Sequence, residues 1–268
     1  MSDEATLDLP DWDPDQYARF DAQRDRAALD LLLRLPDDLR PQRIWDLGCG
    51  AGQHAALLKR RHPDAVVHGL DTSPAMIETA RARPEVIDWR IGDIAAWSPD
   101  RPVDLILANA SLQWLCDHEP LLDRITGALA PGGVLAVQMP MAHETAHHTL
   151  MRQTAADGPW SQALRGVDTI APLLPAERYY AVLAKTCDDI DIWSTTYLHA
   201  LTGDDAVLEW MKGTALRPYL TALDGDPNRE LFLASLASAL SQVFPRRSDG
   251  VTLLPFPRLF LIARRRLA

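Results

Sequence analysis

The residues with the clearest chemistry lie in one turn, Asp46-Leu47-Gly48-Cys49-Gly50-Ala51-Gly52. Glycine reaches backbone angles closed to other residues, so this stretch can turn sharply and let the backbone approach a ligand closely. A helix that follows such a turn offers unpaired N–H groups and a positive dipole end to an anion. That anion is either a pyrophosphate or the carboxylate of a methionine moiety. Spacing separates the two. The dinucleotide fingerprint is GxGxxG, whereas this turn reads GxGxG, with Asp46 two positions before the first glycine. Asp71 ends the second apolar run, where a carboxylate can accept from both hydroxyls of a ribose. Asp93, in Gly92-Asp93-Ile94, follows the third run, where it can accept from an adenine amino group. Loop and helix-cap roles compete for Asp71 and Asp93. Three acids at successive strand ends nevertheless make a far stronger signal than the glycine turn alone.

Other residues carry weaker signals. His143-Glu144-Thr145-Ala146-His147 matches HExxH, which on a helix places two histidines on a zinc ion and lets the glutamate activate water. The string follows a predicted sheet strand and has no distinct third ligand, so no metal is expected. Cys49 is a candidate nucleophile at a helix start, a setting that would lower its pKa; packing is the competing reading. Arg217 in Leu216-Arg217-Pro218-Tyr219 and Arg258 in Pro257-Arg258-Leu259-Phe260 stand in half-apolar strings, which favours a bound anion over a surface ion pair. Trp114 reads equally as a cover over the site and as a packed aromatic.

Positioning these residues requires a layered scaffold. Asp13-Pro14 caps a helix running to about Leu35, with Tyr17, Leu29, Leu32 and Leu33 among its expected buried residues. Strands follow at Ile44–Leu47, Ala65–Leu70, Val86–Ile91, Val103–Ala108 and Val134–Gln138, alternating with helices, one of which Ser73-Pro74 begins. This rhythm predicts βαβ units and a doubly wound α/β sheet. After Pro140 come a helical stretch, a strand over Asp189–Tyr197, a mostly helical segment from Asp204 to Phe244, and a last strand over Val251–Arg264. Pro255 and Pro257 place that strand at an edge or a bulge. The expected organisation is a single domain, 1–268. Within it, 1–36 is an N-terminal helix over the cofactor and 40–140 the cofactor-binding core. Residues 141–200 and 251–268 complete the sheet and its helices, and 203–247 form an inserted helical lid.

The chain has 268 residues, 47% hydrophobic, and a net charge of −10. That length buries one large α/β core and a modest lobe. The acidity argues against nucleic acid as a partner, since phosphate attraction needs a basic face. No run approaches the ~18 apolar residues of a membrane span, and the acidic start lacks the pattern of an export signal. Three scattered cysteines form no disulfide framework or zinc knuckle, so a reducing, cytoplasmic location is the expectation. The sequence leaves the oligomeric state open.

The motifs resemble those of class I S-adenosylmethionine-dependent methyltransferases and, over nearly the whole chain, the trans-aconitate 2-methyltransferase family. Beyond Asp46–Gly52, the resemblance rests on Tyr17 with Arg24 and Arg26, on Asn109-Ala110-Ser111-Leu112-Gln113-Trp114, and on Gly133–Pro140. The family-specific strings are Gly213-Thr214-Ala215-Leu216-Arg217-Pro218-Tyr219 and Phe256-Pro257-Arg258-Leu259-Phe260. The resemblance implies a Rossmann-like sheet of seven mostly parallel strands, with a helical lid before the last strand. It implies S-adenosyl-L-methionine held by Asp46, Gly48, Cys49, Gly50, Asp71, Thr72, Met76, Asp93, Ile94, Asn109 and Arg26. It implies a small carboxylic acid held by Tyr17, Arg24, Trp114, Arg217, Tyr219 and Arg258, with the choice between Arg24 and Arg26 left open. The implied chemistry is in-line attack of a carboxylate oxygen on the sulfonium methyl, with no catalytic acid or base. Two positions depart from the family. Ala27 stands where a proline is usual after the second arginine, and Met141-Ala142 replaces the Asp-Asn that usually follows Met-Pro.

Overall fold

The computed structural model describes residues 21–167 and 171–267. Helix α1 (Asp21–Leu33) precedes β1 (Arg43–Leu47), after which helix and strand alternate. Their order is α2 (Gln53–Arg61), β2 (Val66–Asp71), α3 (Pro74–Arg81), β3 (Asp88–Ile91), β4 (Val103–Asn109), α4 (His118–Gly127) and β5 (Leu129–Pro140). Then come α5 (Ala146–Ala156), α6 (Ala176–Leu183), β6 (Cys187–Thr202), α7 (Ala206–Lys212), α8 (Arg217–Ala222), α9 (Arg229–Val243) and β7 (Val251–Arg265). The seven strands form one sheet in the order β3-β2-β1-β4-β5-β7-β6. The pairs β1–β2, β2–β3, β1–β4 and β4–β5 are parallel, and β5–β7 is antiparallel. This is the α/β fold of class I methyltransferases. Chain order reverses between β1 and β4, and the carboxyl ends of strands at such a switch point are where open α/β sheets bind ligands.

The chain divides into two compact units. Among the described residues, the sheet unit comprises 21–140, 173–195 and 257–267, and the helical unit comprises 141–167, 171–172 and 196–256. In the sheet unit Ile106, Leu135 and Val137 are fully buried beside Leu122, Ile125 and Tyr179. Burial on both faces suits the near-continuous apolar runs of parallel strands. In the helical unit Met211, Leu216, Tyr219, Phe232 and Leu236 form the centre of a second core with Trp160 and Trp210. Residues 141–172, grouped with the sheet on sequence rhythm, pack in this second unit.

Three local expectations need correction. On α1 the buried residues are Ala27, Ala28, Leu31 and Leu32, with Leu35 just beyond, whereas Leu29 and Leu33 are 44% and 78% exposed. At 100° per residue the buried set forms one stripe, and positions 29 and 33 fall off it. Strand β3 starts at Asp88, and Val86 is exposed. Strand β7 is internal, between β5 and β6. Its prolines are accommodated because pairing with β5 involves only Arg258–Arg264, beyond both Pro255 and Pro257.

Candidate active site

Strand β1 ends in Asp46-Leu47, and the chain then turns through Gly48, Gly50 and Gly52 at φ 76°, 53° and 82°. These left-handed values explain the three glycines. Space explains two of them further. A Cβ on Gly48 would lie 2.3 Å from Ser111 Cβ, and one on Gly52 would lie 2.4 Å from the Trp89 ring, whereas one on Gly50 would meet nothing within 4 Å. The turn is sewn to β2, with Gly48 N and Cys49 N donating to Leu70 O at 2.8 and 2.9 Å. Ser111 Oγ ties it to β4 by donating to Leu47 O at 2.7 Å.

Asp71, the last residue of β2, faces this turn. Its Oδ2 accepts from Gly50 N at 2.8 Å and its Oδ1 from Ser73 N at 2.9 Å. These two N–H bonds fix the orientation of the carboxylate. Asp46 is fully buried, and Oδ2 has no hydrogen-bond partner among the described residues. Burial pushes its carboxyl up to about 6; His54 works against that rise and Asp71 adds to it. Asp93 caps the 3₁₀ turn Ile94–Ala96, accepting from Ala95 N at 2.7 Å. The cap and the predicted ligand role coexist, because one oxygen is enough for the cap.

The other residues predicted to hold the cofactor lie on several elements. Ile94 and Met76 are buried, the latter on α3 with its N–H donating to Ser73 Oγ at 3.2 Å. Thr72 is exposed between β2 and α3. Asn109 ends β4, its Oδ1 buried and without a hydrogen-bond partner among the described residues. Arg26 is an exposed residue of α1, next to the buried Ala27. For Cys49 the expected direction was wrong. Burial first, then the nearby Asp46 and Asp71, raise its thiol well above the ordinary value, and a thiol so placed is a packed residue, not a nucleophile.

The predicted acceptor residues are spread over both units. Trp114 is half-buried on the 3₁₀ turn Leu112–Trp114 after β4. Arg258 is 5% exposed in β7, with Nη1 donating to Gln138 Oε1 of β5 at 3.4 Å. In the helical unit, Arg217 opens α8 and lines a 560 Å³ cleft with Lys212 and Arg229. Lys212 and Arg229 are matched there by Glu209 at 2.7 Å and Asp224 at 3.2 Å. Tyr219 packs parallel to Phe232 at 6.4 Å. Tyr17 lies outside the described residues, and Arg24 is on α1. The HExxH string straddles a helix start: α5 begins at Ala146 with Thr145 as N-cap, so His143 and His147 do not share a helix face. His147 instead stacks on Phe256 at 5.6 Å.

Sequence reasoning missed three contributors at the glycine turn. Ser111 lay inside a quoted string but drew no attention, and its contact with Gly48 joins residues far apart in the chain. Trp89 fills the space that both Gly52 and Gly69 leave open. His54, two residues after the turn, lies 3.3 Å from Asp25 of α1. Only the glycines themselves hinted at such close neighbours.

Comparison with known proteins matches residues 44–133 to a methyltransferase domain family. The chain is 46% identical to a trans-aconitate 2-methyltransferase of Methylobacterium radiotolerans over 96% of this chain and 99% of the relative. It is 46% identical to one from an Azoarcus species over 96% of this chain and 100% of that one. The chain belongs to the trans-aconitate 2-methyltransferase family. The fold is also similar to that of the YcgJ protein of Bacillus subtilis, with a TM-score of 0.58 at 14% identity, covering 91% of this chain and all of that one. Both matches run nearly end to end and so span the stretches that form both units of this chain. Among the described residues, no helix is long and apolar enough to cross a membrane.

Proposed function

We propose that this protein transfers the methyl group of S-adenosylmethionine to one carboxylate of trans-aconitate or a similar acid with at least two carboxylates. The observation that carries the reading is the full-length kinship with trans-aconitate 2-methyltransferases. The glycine turn fits the cofactor: Gly50 opens onto free space, Asp71 is oriented by the N–H groups of Gly50 and Ser73, and Asp46 and Asn109 carry buried oxygens whose hydrogen bonding is incomplete among the described residues. Asp71 would hold the ribose hydroxyls, Asp93 and Ile94 the adenine, and the turn from Gly48 to Gly50 the methionine end. Bound there, S-adenosylmethionine supplies an electrophilic methyl on a sulfonium.

The acceptor oxygen is already ionised at neutral pH, so no side chain has to remove a proton. The protein's task is alignment and exclusion of water. It must also hold a polyanion on a chain of net charge −10. Guanidinium groups do this best because they grip carboxylates with two parallel bonds. Arg217, Arg258 and Arg24 are the proposed clamps, with Tyr219 as a hydroxyl donor, Tyr17 and Trp114 against the acceptor, and Arg26 toward the cofactor. The test is a panel of small acids and amines with methyl-labelled S-adenosylmethionine. Label is expected in a monoester of trans-aconitate or a close polycarboxylate; a preference for a monocarboxylate or an amine overturns the acceptor class, and the Met141-Ala142 departure is then the first place to look.

A further inference from the structure

Helix α1 is tied to α2 at two points. Near the C-terminal end of α1, Arg61 Nη1 donates to Leu32 O at 2.9 Å. This places a cation at a helix end that has no basic residue of its own in its last turn, where the carbonyls and the dipole favour one. Near the other end, His54 Nε2 lies 3.3 Å from Asp25 Oδ1. Asp25 and Leu32 are seven residues apart, and so are His54 and Arg61. Seven residues are two turns, about 10 Å of helix. The matched intervals put the two contacts two turns apart along each helix and in the same order.

The two ties differ in kind. The Arg61 tie is a charge-assisted hydrogen bond. The His54 Nε2 atom is buried and lies 3.3 Å from Asp25 Oδ1 out of line for a hydrogen bond, a contact that is an ion pair when the imidazole is protonated. It is also the tie beside the chemistry. His54 follows Gly52 by two residues, and its charge acts on the buried Asp46 at the end of β1. The imidazole therefore sits between an acid of α1 and an acid of the glycine turn, with only 15% of its side chain exposed.

We propose that His54 is a positioning residue for cofactor binding, pinning α1 through Asp25 so that the helix is held beside the glycine turn. This rests on the reading of that turn as the cofactor site. Arg26 is the next residue of α1 after the pin, so a loosened pin frees the residue assigned to the cofactor. The Arg61 tie keeps the far end of α1 docked, and the loss should be confined to residues before Leu29.

The test combines calorimetry with S-adenosylhomocysteine and amide exchange on the ligand-free protein, for wild type, His54→Leu, Asp25→Asn and the double variant. His54→Leu also removes a charge acting on Asp46; Asp25→Asn does not, and so isolates the pin. Each single variant is expected to bind about tenfold more weakly. The double variant should match the singles, not show a hundredfold loss, because both remove one contact. Amides 25–28 should exchange faster in every variant while those of β1 and β4 are unchanged. Wild-type affinity and exchange in Asp25→Asn overturn the pin, and so do multiplied losses in the double variant. If wild type fails to bind S-adenosylhomocysteine, the cofactor reading falls and the positioning role with it, whatever the exchange data show of the pin.

Discussion

Both units bury histidines, His68 and His118 among them in the sheet unit, but among the described residues the buried acid belongs to the sheet unit. In the sheet unit the buried acid is Asp46, raised to about 6, at the end of β1 where the glycine turn begins. In the helical unit the buried groups are histidines. His147 and His148 are 1% and 3% exposed with ring centroids 4.8 Å apart, and His199 stacks on Trp210 at 4.7 Å. Burial lowers His148 to about 4, with Arg152 and His143 adding to the effect, and burial with the neighbouring His148 also lowers His147 well below its ordinary value. The His147 imidazole serves as an aromatic plate packed with Phe256 and Phe244. A buried carboxylate costs stability at neutral pH, and it stands beside the most constrained turn of the chain. The sheet unit thus carries a buried acid beside the glycine turn, whereas His147 and His148 of the helical unit become a liability in acid.

The sharpest way to break that comparison is pH. An unfolded histidine takes its proton near 6.5 and His148 near 4. Between those values the unfolded chain holds more protons, so stability falls as pH falls, by about 3 kcal/mol for His148. Asp46 has the opposite sign. Its folded form takes a proton near 6 and an unfolded aspartate near 3.8, so its contribution rises by about 3 kcal/mol as pH falls through that window. Amide exchange at pH 7 and 4.5, corrected for intrinsic rates, should show α5 and α9, which pack together, losing protection relative to β1 and β4. In Asp46→Asn, global stability should decline more steeply toward acid than in wild type. Equal loss in both units, or an unchanged slope in the variant, contradicts the contrast.

A smaller effect sharpens the division of labour. Arg217→Met keeps much of the side chain's packing and removes its charge. The catalytic efficiency with trans-aconitate should drop at least tenfold, about 1.4 kcal/mol, while cofactor affinity stays within twofold. Weakened cofactor binding, or no change in either quantity, removes Arg217 from the clamp. The cleft it shares with Lys212 and Arg229 gives the substitution room, so a folding defect is not expected.

What could be read from the sequence was local chemistry. The glycine turn was legible because left-handed φ values leave few alternatives to glycine, and the Ser73 cap because its partner Met76 is three residues away. The seven strands followed from apolar runs. The internal place of β7 was not legible, because Pro255 and Pro257 disfavour pairing wherever they stand, and which part of a strand pairs is decided by its neighbours. For Cys49 the packed role was legible but the direction of its pKa was not: its helix-start position was visible, whereas its burial beside Asp46 and Asp71 required the fold. The HExxH string had the right letters, yet Thr145 starts the helix inside it. The histidine–aromatic core joins positions 147, 199, 244 and 256, and no local pattern connects them.

The most direct test of the account is calorimetric titration of wild type and Asp71→Ala with S-adenosylmethionine, its demethylated product and NAD. Wild type is predicted to bind the first two and not NAD. Asp71→Ala should bind them more weakly by ~1.5–3 kcal/mol for each charged hydrogen bond lost. NAD binding by wild type, or undiminished affinity for S-adenosylmethionine in Asp71→Ala, would contradict the assignment of the glycine turn and Asp71 as the cofactor site.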